Sequence, residues 1–167
     1  MDPKERILRR LLRTAASVED GILVLLLAAM IALAGTQILL RNLLETGLEW
    51  GDPLLRVTVL WLGLLGAMAA TRDDNHISID IVSRFLPPRA KTAGRLFTDL
   101  FTATVCGLLA YHSARFVLFE KEAGSIAFGF VPAWVCELIM PFGFGIIALR
   151  FCVSFVLRLR QLAGAVS

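Results

Sequence analysis

Four apolar runs leave this chain few folds to choose from. They cover residues 21–40, 54–70, 96–119 and 134–157. A helix needs about 20 predominantly apolar residues to cross the hydrocarbon core of a bilayer. Inside that core every backbone N–H and C=O must be satisfied within the protein, which leaves helices or a closed barrel. Runs this long and continuous are helical rather than alternating. With 57% hydrophobic residues and a mean hydropathy of +0.72, the chain is too apolar for an ordinary soluble domain. Little lies outside the runs that could build a catalytic domain. The expectation is an all-α integral membrane protein of four transmembrane helices, one membrane domain over residues 1–167.

The second run and its exit, residues 49–89, carry the most specific pattern. Asp52-Pro53 reads as a helix start, an N-cap oxygen followed by proline where no N–H is needed. Arg56 follows one turn in, close enough to reach back to the interface. Gly63/Ala67 and Gly66/Ala70 are small-residue pairs that give the helix a face for close packing. Trp61 lies mid-span, so a helix–helix contact is expected for it. In the loop that follows, Ile77, Ile81 and Phe85 recur at four, which predicts a short interfacial helix ending at Pro87-Pro88. His76 stands in that loop without a second donor, so no metal site is read there.

Upstream, residues 3–17 place Ile7, Leu8, Leu11, Leu12 and Ala15 on one helical face and four arginines on the other. Such a helix suits an anionic leaflet. Ala28, Ala32 and Thr36 make a small-residue stripe in the first span. Ala32-Leu33-Ala34 looks like a signal-peptidase site, but the apolar run continues to Leu40, so the span is read as retained. Downstream, Pro132 opens the fourth span and Trp134 anchors it at an interface. Pro141-Phe142-Gly143 predicts a kink. Cys106, Cys136 and Cys152 all fall in apolar runs and read as reduced core thiols.

Counting charges gives a topology. Five Lys/Arg precede the first span, five lie between residues 71 and 95, and Arg150 lies toward the far end of the fourth, with Arg158 and Arg160 following it. These thirteen of the seventeen share one side when four spans are drawn. The positive-inside rule then places both termini in the cytoplasm. The basic residues are scattered over loops, so nucleic acid is not an expected partner; membrane lipid is.

No phosphate loop, nucleophile elbow or metal-spaced His/Glu pair occurs, so neither an enzyme nor a bound cofactor is expected. Ionisable residues inside spans are expensive and are the remaining hints. Arg56, His112, Arg115 and Glu137 fall toward the outer ends, Asp99 and Arg150 toward the inner ones. Opposite charges thus share a level twice. Pairing is expected between Glu137 and Arg56 or Arg115, and between Asp99 and Arg150 or Arg95.

The order of these pieces resembles the small membrane subunit, of the DctQ type, of tripartite ATP-independent periplasmic (TRAP) transporters. The resemblance covers roughly residues 21–150 and rests on Arg41 after the first span and on Glu49, Trp50, Asp52 and Arg56 leading into the second. It continues through Trp61, Gly63, Gly66 and Ala67, then Arg72, His76, Asp80 and Pro87, and ends with Pro132, Trp134, Pro141 and Gly143. Asn42, Pro53 and Glu137 depart from the family pattern. The resemblance implies a subunit of a Na⁺-driven importer of organic acids in the bacterial inner membrane. In such a system a periplasmic solute-binding protein captures the substrate and a large membrane subunit carries it. The small subunit docks on the large one as a scaffold. Two other classes fit less well. A self-contained proton/drug antiporter wants a midplane carboxylate, and Asp99 and Glu137 are off-centre. A haem protein wants facing histidines at one depth, which His76 and His112 do not supply.

Overall fold

The computed structural model describes the backbone of residues 3–73 and 88–164, with side chains at Thr14 and over residues 16–72 and 92–160. Among these residues five helices and one small hairpin follow one another: α1 (Pro3–Leu43), α2 (Gly51–Ala70), α3 (Pro88–Ala123), β1 (Ile126–Phe128), β2 (Val131–Pro132), α4 (Ala133–Glu137) and α5 (Ile139–Gly164). A single 3-10 turn, Thr71–Asp73, ends α2. Among the described residues four stretches are long and apolar enough to cross a membrane: Ala16–Leu43, Gly51–Ala70, Thr92–Ala123 and Ala133–Arg160. They contain the four runs expected from the sequence and extend most of them.

The extensions have a simple origin. Charged residues end a hydrophobic run without ending a helix, since Arg, Lys and Glu are good helix formers. The basic stretch expected to form a separate interfacial helix is therefore continuous with the first span in the 41-residue α1. Likewise α3 begins at Pro88, eight residues before its apolar run, with proline where a missing N–H costs nothing. The expected interfacial helix around Ile77, Ile81 and Phe85 lies outside the described residues, as do His76, Asp80 and Pro87.

The main packing contacts run in the order α1–α2–α5–α3, so α2 and α5 are central. The α3–α5 contact is the most extensive, and α1 packs chiefly on α2. Leu64 and Met68 of α2, Ala103 and Val117 of α3, and Ile139 and Ile147 of α5 form the buried core. Gly143 lets α5 approach α2: a Cβ there would stand 3.4 Å from Leu64 Cβ and 3.7 Å from Met68 Sδ. Gly63 and Gly66 are different, because a Cβ at either meets nothing within 4 Å. Gly63 and Ala67 share the exposed face of α2 with Arg56 and Val59. This small-residue face is therefore not used by the described helices.

The expected kink is a break between α4 and α5 at Leu138. Pro141 has no N–H to give the Glu137 carbonyl, and its ring crowds that carbonyl. Of the three cysteines, which are free thiols, Cys136 is buried and Cys106 half-buried, but Cys152 is exposed on α5. The core-thiol expectation thus fails at Cys152, whose helix position faces away from both α2 and α3.

Candidate functional site: polar latches at the two ends of the helix row

Polar side chains concentrate at the two ends of the helices, and at each end they join elements distant in sequence. At the end near Trp50, the central residue is Gln37 of α1, only 7% exposed. Its Nε2 donates to the Leu48 carbonyl at 3.1 Å and to Asp52 Oδ1 at 3.2 Å. Its Oε1 accepts the Leu48 N–H at 3.2 Å. One amide thus closes the connection between α1 and α2, using both its donor and its acceptor. Gly51 is the residue that permits this, since a Cβ there would lie 2.8 Å from Gln37 Oε1.

This latch changes the expected helix start. Helix α2 begins at Gly51, with Trp50 at the N-cap and no side-chain cap bond. Asp52 is already inside the first turn, where its charge suits the helix dipole, and its carboxylate is engaged by Gln37.

A second link at this end binds α2 to α4. Trp61 Nε1 donates to the Cys136 carbonyl at 2.8 Å. The mid-span tryptophan therefore makes the helix–helix contact its position predicts, one residue before the carbonyl that Pro141 leaves without a donor. Nearby, Lys121 of α3 stands over the Trp134 ring, 5.4 Å from its centroid. That is within range of a cation–π contact.

The opposite end carries an ion cluster. Arg72, just past α2, donates to both carboxylate oxygens of Asp20, at 2.8 and 3.1 Å. It also reaches Glu19 at 3.4 Å and the Ala16 carbonyl at 3.0 Å. Arg150 of α5 donates to Glu19 at 3.1 Å, to Thr71 Oγ1 at 3.2 Å, and to the Met68 carbonyl. Glu19 is thus shared by two arginines, and α1, the end of α2 and α5 meet at one carboxylate. Arg158 pairs with Asp99 at 3.3 Å, joining α5 to α3. Asp99 is only 2% exposed.

The expected partners of these charges need correcting. Arg150 goes to Glu19, and the described partner of Asp99 is Arg158 rather than Arg150 or Arg95. The cause is helix length. From Arg150 to Arg158 is about 12 Å of rise, and α3 continues below Asp99 to Pro88, so the deeper arginine reaches it. Among the described residues no ion pair joins Glu137 to Arg56 or Arg115, and Glu137 Oε2 is buried without a hydrogen-bond partner. Arg56 and Trp61 are five residues apart, about 140° around a helix. With Trp61 turned to α4, Arg56 points away and is exposed. Arg115 is likewise exposed, while Val117, on the opposite side of α3, is buried.

Arg41, Glu49 and Trp50 are exposed, and Pro132 caps the start of α4. No group of three His, Cys, Asp or Glu that could hold a metal occurs among the described residues. An open hollow of about 350 Å³ is lined by Thr36, Leu39, Leu40 and Leu43 of α1 and by Leu44 just past its end. The Thr36 hydroxyl is engaged by the Ala32 carbonyl. Such a surface has no convergent polar groups to orient a solute.

The family of tripartite ATP-independent periplasmic transporters, DctQ component, matches residues 30–161. The chain belongs to the DctQ family. The match takes in Gln37, Asp52, Trp61, Arg72, Asp99, Arg150 and Arg158, and leaves Glu19 and Asp20 outside it. The DctQ chain is similar to a putative TRAP transporter small permease protein of Haemophilus influenzae, 27% identical over 50% of this chain and 52% of that one. It is also similar to the sialic acid TRAP transporter small permease protein SiaQ of Vibrio cholerae, 28% identical over 77% of this chain and 74% of that one. A third relative is the sialic acid TRAP transporter permease protein SiaT of Haemophilus influenzae, 28% identical over 52% of this chain but only 14% of that protein. The DctQ chain thus spans about half the length of the first relative and a small part of the third. These relatives are named as transporter permease components, and the chain is a multi-pass membrane protein of the DctQ family.

Proposed function

We propose that this small permease subunit works as a scaffold, one membrane domain that docks on a large membrane subunit. The assembled transporter uses Na⁺ to import organic acids delivered by a periplasmic solute-binding protein. The observation that carries this reading is where the polar groups stand. Apart from the mid-span Trp61–Cys136 bond, which also joins two helices, the described hydrogen-bonding and ion-paired side chains between helices lie toward the two ends and hold helices to each other. Transport sites are instead usually built near the midplane from broken helices and free polar groups. SiaT supports the partnership, because a stretch similar to this chain forms a small part of a much longer permease. SiaQ, named for sialic acid, supports an organic acid as substrate. The thirteen basic residues on one side support an inner-membrane orientation with both termini in the cytoplasm.

The exposed small-residue face of α2 gives the test. A Cβ at Gly66 meets no neighbour within the chain. Gly66→Leu is therefore expected to keep the thermal stability of the isolated subunit and to lower its co-purification with the large subunit. Unchanged co-purification, with the variant folded, would contradict docking through this face.

A further inference from the structure

The hairpin between α3 and α4 has an unusual composition for a connection at a membrane surface. From Ala123 to Cys136 there is no Asp, Glu, Lys, Arg or His among fourteen residues. Turns exposed to water are usually built from polar residues. Here the turn presents Phe130, 95% exposed, and the first strand presents Ile126, 66% exposed. Gly129 takes a φ of 57°, a left-handed conformation natural to glycine, and aims the chain back into β2.

The hairpin is also held rather than free. Ile126 pairs with Pro132 and Phe128 with Val131. The Ala133 N–H donates to the Ser125 carbonyl at 2.9 Å. Strand β1 packs on α2 and α4. A fixed base thus projects a fixed aromatic tip. Its level follows from the chain, because one span ends at Ala123 and the next begins at Ala133. The same level carries Lys121 over Trp134, a pairing of the kind enriched at membrane–water interfaces.

We infer that this hairpin is a lipid-contacting wedge, with Phe130 and Ile126 seated in the boundary between headgroups and acyl chains. The wedge fixes the depth of α3, α4 and α5. A soluble protein partner is the weaker occupant, because the hairpin offers no charge to steer or orient one. The inference does not depend on the identity of the large subunit or of the substrate.

Photo-crosslinking tests it with the native cysteines in place. A benzophenone amino acid is placed at position 130 of the full chain, assembled with its large subunit in native membranes. The expected product on irradiation is a phospholipid adduct, as at the exposed span residue Phe101 used as a control. A crosslink to another polypeptide, or no adduct while position 101 reacts, would overturn the inference. A second measurement uses Phe130→Cys, labelled with bimane in a background of Cys106→Ser, Cys136→Ala and Cys152→Ser. In vesicles of phosphatidylethanolamine and phosphatidylglycerol, brominated lipid is expected to quench the label severalfold more than aqueous iodide. Equal or stronger iodide quenching, or shielding from both, would count against the wedge.

Discussion

Single residues in this chain act mainly by supplying a hydrogen bond from one helix to another. Trp61 is the clearest case, since its indole N–H reaches the Cys136 carbonyl of α4. Trp61→Phe keeps the ring and removes the donor. The expected loss is about 1 kcal/mol, read as a lower thermal midpoint of the purified subunit; an unchanged midpoint would show that the bond contributes nothing. Glu137 makes the opposite case. Its buried oxygen has no hydrogen-bond partner among the described residues, and no ion pair is lost by neutralising it. Glu137→Gln is therefore expected to leave stability the same or higher, because an unpaired charge in a span is costly. The Na⁺ dependence of uptake by the assembled transporter is expected to stay unchanged. An altered Na⁺ dependence would make Glu137 a coupling-ion ligand and remove it from the scaffold account.

At the level of elements, α1 depends on its two ends. It packs chiefly on α2, and Gln37 fastens one end while Glu19 and Asp20 fasten the other. Glu19→Gln is expected to cost about 1 kcal/mol, the scale for partly exposed ion pairs, and the loss should shrink in high salt. A double-mutant cycle with Arg150→Gln should show coupling between the two sites; strict additivity would mean that the 3.1 Å pair is incidental. These ends were the least legible part of the sequence. The spans could be read because twenty apolar residues in a row admit one solution. The Trp61 contact and the proline break could be read because each residue type has a specific physical consequence. The charge partners could not, because they depend on how far helices continue beyond the apolar runs. In the sequence Glu19 and Asp20 only flank the first apolar run, and Arg158 enters only the charge count. Gln37 is a single polar residue in an apolar run, which is the one signal of its latch. The hairpin escaped notice because strands of three and two residues have no periodicity to detect.

For the whole molecule, the account makes the four helices a rigid support. The apolar spans set the fold, the end latches fix the helices against one another, and the small-residue face of α2 is left uncovered by the described helices. Such a chain is expected to move nothing across the membrane by itself. The direct measurement is uptake of a radiolabelled organic acid into vesicles under an inward Na⁺ gradient, with the solute-binding protein supplied outside. Vesicles holding this chain and the large subunit are expected to accumulate substrate, and vesicles holding this chain alone are expected to accumulate none. Uptake by this chain alone, or full uptake by the large subunit in its absence, would contradict the scaffold account.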